Sequence, residues 1–378
     1  MNDPYELHRL ALAPLLRRDD ADTIQASISG ASHGEDGLAL FIDFVIQQGL
    51  GPLWHDQLWR NDALALIGKT LDGRLAASRR QAAAHYMLQR TTTELMRNRL
   101  DAAGIVHTVY KGVANRELLF KEPTLRPAAD IDLLVASADR DRTIRLLMED
   151  GFSLHVNPAN VSHEVTLQRG AATVDLHWDI LRPGRTRQVM TPLLLAARQD
   201  TKHWWRSDGA SALYVALVHP VFAKYATAPQ STLIRVVELI RLLQQKIDVG
   251  RTLELAQISG LKSAAWIMVR WLRLLIGESE YEALRPLGVI EKATEPGKLR
   301  RRHLNLWIDK NLATRLASNP LLIQGTLTLG AHDTLGDVRR AVREARRMEK
   351  QSAAVSGQLN EIKKAFTPKI LGPEPWSG

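Results

Sequence analysis

The sequence predicts an α+β chain in which a small mixed sheet sits between helical extensions on both sides. Three observations carry this. A long helical stretch stops at Gly104 and gives way to short β-branched runs separated by turn residues. Two of those runs, Asp130-Ile131-Asp132-Leu133-Leu134-Val135 and Thr173-Val174-Asp175-Leu176-His177-Trp178, place polar side chains on one face and apolar ones on the other. Beyond Arg182-Pro183-Gly184-Arg185 the apolar period becomes helical again, with Ile267, Trp271, Leu274 and Leu275 on one stripe.

Taken in order, residues 1–75 form an N-terminal helical region, in which short apolar runs such as Leu38 to Val45 alternate with turn residues. A long helix over Ala76 to Ala103 carries Leu88, Thr92, Leu95 and Met96 at helical spacing. Ile105 to Tyr110 is a strand, Lys111-Gly112 breaks it, and Val113 to Phe120 is a helix. The Asp130–Val135 strand comes next, then a helix near Asp139 to Asp150 with Ser137 as N-cap and Gly151 as stop. Strands near Phe152 to His155, Glu164 to Gln168 and Ala172 to Trp178 complete the sheet, the last two joined at Arg169-Gly170 as a hairpin. Residues 76–185 are the expected core and 186–367 a C-terminal helical domain. Its apolar stripes run over Leu213 to Tyr225, Thr232 to Lys246 and Leu253 to Gly277, and Pro296-Gly297 breaks it. Residues 368–378, with Pro373, Pro375 and Trp376, form an irregular tail.

Composition narrows the function classes. Hydrophobic residues make up 45% of the 378, enough for a proper core, and the absence of Cys excludes disulfides and thiolate metal sites. No apolar run reaches the length of a membrane span, and Met1 to Glu6 lacks a signal-peptide pattern, so a cytoplasmic protein without a membrane partner is expected. The net charge of +9 is spread out, with concentrations at Lys298 to His303 and Arg339 to Lys350. The second segment intersperses acids, as a solvated helix does, and no aromatics interleave with the basic residues, so nucleic acid is a minority expectation. A nucleotide or another polyanion accounts for the charge equally well.

The chemistry concentrates in the two alternating strands. Asp130 and Asp132 face the same way, about 7 Å apart on the pleat. Such carboxylates repel each other unless a divalent cation sits between them, and hard oxygen donors favour magnesium or manganese. If the second strand pairs near the first, Asp175 supplies a third carboxylate. Upstream, the strand–Lys111-Gly112–helix sequence offers free backbone N–H groups and the positive end of a helix dipole, which suits a phosphate. Two roles stand for Arg126: an ion pair with Asp130 or Asp132, or the orientation of a carboxylate or contact with a phosphate. Lys111 is either a solvated turn residue or a cation at the phosphate site. His177 is either a hydrogen-bonded packing residue or a base.

These residues, in this order, resemble the polymerase-β-like nucleotidyltransferase superfamily, and within it a bacterial family of uncharacterised nucleotidyltransferases. Lys111-Gly112, Arg126, Asp130, Asp132, His163 and Asp175-Leu176-His177-Trp178 match that family's pattern. The resemblance is strong over Arg80 to Leu181. It continues more weakly through Leu213 to Gly277, with Glu238 where the family more often has Asp. The chain departs from the superfamily at its first motif, usually Gly-Gly or Gly-Ser and here Lys111-Gly112-Val113.

The resemblance implies a metal-dependent nucleotidyltransferase. Asp130, Asp132 and Asp175 would hold two Mg2+ (or Mn2+) ions, and Lys111, Gly112 and Arg126 would bind a nucleoside triphosphate such as ATP. Asp175 would assist deprotonation of an unidentified acceptor, with His177 as orienter or alternative base. His219, Lys224 and Glu238 are weaker candidates on the acceptor side. Two alternatives stay open: a nucleotide-binding regulatory module without turnover, and another group transfer on a phosphorylated acceptor.

Overall fold

Alternation along β2 (Ile131–Val135) explains how the centre of the molecule is built. This strand runs antiparallel to β1 (His107–Tyr110) and parallel to β5 (Ala172–His177). β4 (Glu164–Arg169) pairs with β5, β3 (Ser153–His155) with β4, and a short ribbon of β6 (Gln199–Asp200) and β7 (Trp205–Arg206) joins β1 in parallel. The resulting seven-stranded mixed sheet has the order β3-β4-β5-β2-β1-β7-β6. The computed structural model describes residues 5–366 apart from 17–19, 33–35, 158–161, 224–232, 310–324 and 326–328.

Before the sheet come α1 (Glu6–Leu16), α2 (Ala21–Ala31), α3 (Gly37–Gln47), α4 (Gly51–Arg60) and the long α5 (Gly68–Ala102). Within the core lie α6 (Gly112–Leu119) and α7 (Arg140–Glu149). After it come α8 (Thr191–Ala196), α9 (Gly209–Ala223), α10 (Leu233–Gln244), α11 (Val249–Ser259) and α12 (Lys262–Ile276). The described chain continues through α13 (Glu278–Ala283), α14 (Arg285–Thr294), α15 (Lys298–Asp309) and a last long helix, α16 (Leu335–Phe366).

Two apolar clusters follow from the pleat. One face of the sheet, with Val109, Ile131, Leu133, Val135, Val165, Leu167, Val174 and Leu176, packs against Met96 and Leu100 of α5 and Ile144 and Leu147 of α7. Leu359 and Ile362 bring the far end of α16 onto the same cluster. The second cluster joins the N-terminal helices (Leu12, Ile42, Trp54) to the helices after the sheet (Leu213, Leu239, Trp271), so helices from before and after the sheet share one core. Trp266 and Trp271 are core residues of that cluster, as their spacing predicts.

The helix ending at Gly104 (φ +68), the Pro296-Gly297 break and the mixed sheet match expectation. Five details differ, the first being that α5 begins at Gly68 rather than at the expected Ala76. Ser137 makes no capping hydrogen bond; it begins a short 3-10 turn that leads into α7. The hairpin turn is one residue later than expected, because Arg169 still pairs with Ala172 and Gly170 (φ +56) turns the chain. The stripe from Leu253 to Gly277 splits into two helices at Gly260, whose φ of +75 suits glycine. Finally, residues 199–206 return to the sheet as β6 and β7, although everything past residue 186 reads as helical. Two-residue strands are too short to show a period. Lys224 and the irregular tail lie outside the described residues. Among those residues no single helix is long and apolar enough to cross a membrane.

Candidate active site

Cross-strand register lines up polar side chains on the second face of the sheet. Tyr110, Asp132, Asp175 and Thr166 are successive partners across β1, β2, β5 and β4, so they form one row. Thr108, Leu134, His177 and Glu164 form the next row. Direct partners point to the same face, with strands about 4.8 Å apart, so Asp132 and Asp175 are immediate neighbours. Asp130 precedes β2 by one residue.

Asp132 is the hub. It is buried, and its Oδ1 accepts from Lys111 Nζ at 2.8 Å and lies 3.0 Å from His177 Nε2. These two partners outweigh its desolvation and hold its carboxyl well below the usual range. Asp130 behaves in the opposite way: burial, then the charges of Asp132 and Asp175, push its carboxyl up. Asp175 is also pushed up by burial, against the hydrogen bond that its Oδ1 accepts from Thr166 at 2.7 Å. The donors are hard oxygens and the anionic charge exceeds the local cations, so the chemistry fits a divalent metal ion. Among the described residues, no three of these groups are already closed around one metal position.

His177 is 2% exposed and packs edge-on against Tyr110 and His163, at ring separations of 5.3 and 6.2 Å. Its Nδ1 lies 3.2 Å from Glu164 Oε2, out of line for a hydrogen bond. His163 Nε2 lies 3.7 Å from that same oxygen. His177 thus orients Asp132 from behind.

The turn between β1 and α6 inverts a simple expectation. Lys111, not Gly112, carries the positive φ (+57), a strained position for a residue with a side chain. That conformation brings its ammonium onto Asp132 and over the Tyr110 ring, 4.6 Å from the centroid. Gly112 is glycine for a different reason. A Cβ there would sit 2.5 Å from Arg126 Nη1 and 2.9 Å from its Cζ. The guanidinium therefore lies against the first residue of α6, in space that only glycine leaves open.

Arg126 takes neither aspartate as its partner. Its Nε and Nη2 fork onto Glu238 Oε1 and Oε2 of α10 at 3.0 and 3.1 Å, a buried bidentate pair 112 residues apart in sequence, and Nη1 donates to Pro127 O at 2.7 Å. Glu238, a weak acceptor-side candidate from sequence, is thus joined to the loop that carries Asp130. The same loop is held from below: buried Arg116 donates to Gln89 Oε1 at 2.7 Å, and Gln89 Nε2 donates to Ala128 O at 3.0 Å. Burial, with Arg126 nearby, pulls the Arg116 pKa down to about 9.

A cleft of about 370 Å³ opens over these groups. One wall is Lys111, Gly112, Asn115 and the 126–130 loop with Asp130 and Asp132; the other is α9 and α10, with His219, Arg235 and Glu238. Gln47 at the end of α3 and Gly49 in the turn before α4 also line the cleft. The N-terminal helices, the sheet core and the helices after it therefore all contribute. Asp175 and His177 do not line this cleft among the described residues. Sequence reasoning missed Arg235, Asn115, Gln47 and Glu164. For Arg235 a signal existed: Arg235 and Glu238 share a face, at i and i+3, inside the apolar run Leu233 to Leu243.

The family model for an uncharacterised nucleotidyltransferase matches residues 35–277, more than half of the chain. No curated protein matches the chain significantly. The chain belongs to this uncharacterised nucleotidyltransferase family, and that membership supports a general nucleotidyltransfer role.

Proposed function

We propose that the protein is a metal-dependent nucleotidyltransferase that moves a nucleoside monophosphate from a nucleoside triphosphate to an acceptor hydroxyl or phosphate on a small molecule, peptide or saccharide. The observation that carries this is the register of Asp132 with Asp175 on one face, with Asp130 just upstream and the Lys111-Gly112 turn alongside. Asp130, Asp132 and Asp175 would hold Mg2+ or Mn2+, which when bound supplies charge neutralisation and acidifies the acceptor. The acceptor oxygen forms a bond to the α-phosphorus while the bond from that phosphorus to the bridging oxygen breaks, and the electron pair leaves with diphosphate. Asp175 receives the acceptor proton, as the carboxylate on the strand beside the Asp130–Asp132 pair. His177 keeps Asp132 oriented, and the N-terminus of α6 faces the phosphates.

One observation favours a second reading, a nucleotide-binding module without turnover: Asp132 Oδ1 already has two partners, Lys111 and His177. A panel of the four labelled nucleoside triphosphates with Mg2+ or Mn2+, scored for diphosphate release against cell extract, separates the two. Turnover with one triphosphate is expected. Asp175→Asn should then keep nucleotide affinity and lose of order 10²-fold or more in transfer. Nucleotide binding by the wild type with no release in any extract would favour the module, and wild-type turnover in Asp175→Asn would remove Asp175 from its role.

A further inference from the structure

Each cation in the cleft can be matched with a carboxylate partner, except on one wall. Lys111 is neutralised by Asp132, and Arg126 by Glu238. Arg235 is the remaining cation of the lining. Among the described residues it makes no ion pair and no hydrogen bond, yet it is only partly accessible. Burial and the like charge of Arg126 lower its pKa, against Glu238, Asp132 and Asp130. A half-buried guanidinium with no hydrogen-bonded carboxylate among the described residues keeps its planar fork available, and that fork suits phosphate oxygens.

Two further observations say which anion. Lys111 of the β1–α6 turn and Arg235 of α10 line the same cleft, one on each wall, together with His219. The described lining contains no Phe, Tyr or Trp, and is otherwise small residues such as Gly49, Gly112, Ala129 and Ala216. A base would find only the His219 imidazole to stack on there, whereas phosphates need close backbone approach and cations.

We infer that this cleft is the diphosphate end of the nucleotide site, with Arg235 on α10 and Lys111 on the β1–α6 turn gripping the leaving diphosphate from both sides. The inference rests on the nucleotidyltransfer reading for the word "leaving", but the binding site itself can be tested apart from turnover. Inorganic diphosphate with Mg2+ should bind the wild-type protein and compete with a non-hydrolysable triphosphate analogue. Calorimetry on Arg235→Gln should show diphosphate binding at least about tenfold weaker, since a lost charge-assisted hydrogen bond exceeds the 1.4 kcal/mol of one decade. Binding of a nucleoside monophosphate should change by less than about threefold, and Arg235→Lys should recover part of the loss. The melting temperature should stay level or rise, because no folded-state partner is removed.

Unchanged diphosphate affinity in Arg235→Gln would overturn the assignment. Equal weakening of monophosphate and diphosphate would also overturn it, by moving Arg235 to the α-phosphate or the acceptor. A lower melting temperature with unchanged ligand affinities would make Arg235 a purely structural residue. Wild-type protein that binds diphosphate through Arg235 but never a triphosphate would leave the subsite standing and remove the transfer reading.

Discussion

The two faces of the sheet are made by the same strands, and they obey different rules. On the α5–α7 face, Ile131, Leu133, Val174 and Leu176 are all essentially unexposed, and packing alone accounts for them. On the other face, one residue along in each strand, the polar side chains of Asp132 and His177 are buried and that of Asp175 is half-buried. Burying them without full compensation works against folding. The comparison teaches that stability in this core is supplied by one face and drawn on by the other, as expected where a site must be held rigid and ready for a ligand.

The sharpest way to break this comparison is to damage the supporting face. Leu133→Ala removes a fully buried side chain and should cost about 2–5 kcal/mol in denaturant unfolding. Its cost should not depend on pH or on added Mn2+ once ligand linkage is subtracted. A loss below about 1 kcal/mol would mean that the apolar face is not what holds the sheet.

The polar face is probed by two aspartates that should respond with opposite signs. Asp132 is held below its ordinary pKa in the fold, so its contribution is present above about pH 4 and is lost as pH falls toward the folded value. Asp132→Asn should therefore destabilise at neutral pH by about 1–3 kcal/mol. Asp130 is held above its ordinary pKa, so its charged form works against folding at neutral pH. Asp130→Asn should be neutral or stabilising by up to about 1 kcal/mol. Thermal melts at pH 7 check both, and equal effects would erase the distinction between hub and repelled neighbour.

A pH-dependent effect sharpens the picture at the edge of the same face. Asp179, just past β5, is pushed up to about 7 by burial, although its Oδ1 accepts from Ile180 N at 2.8 Å. With the folded pKa raised, the native state binds the proton more tightly, so stability falls as pH rises from about 4 through about 7 and then levels off. Asp179→Asn should lose that slope and gain up to about 4 kcal/mol relative to wild type at pH 8 compared with pH 4. Identical pH profiles for the two proteins would mean that Asp179 stays charged in the fold.

Much of the site is legible in the sequence because strands have a period of two. Alternation alone puts Asp130 and Asp132 on one face and brings Asp175 and His177 to a common face, and the β4–β5 hairpin would have led to Glu164 opposite His177 had the turn been placed one residue later. The Lys111-Gly112 break was visible for the same local reason. What made Gly112 necessary was not visible, since Arg126 reaches it through space.

By itself, then, the sequence determined the helix–sheet–helix order, the polar and apolar faces of the strands, and the residue types offered to a metal and a phosphate. These are local properties, set by side-chain period and turn chemistry. Tertiary structure decided that Arg126 pairs with Glu238 rather than with an aspartate, that Lys111 takes the strained backbone, that residues 199–206 extend the sheet, and that Arg235 faces a cleft shared by the N-terminal helices, the sheet core and the helices after it. Partners more than a hundred residues apart leave no periodic trace, because their meeting depends on how two helical regions close over one sheet.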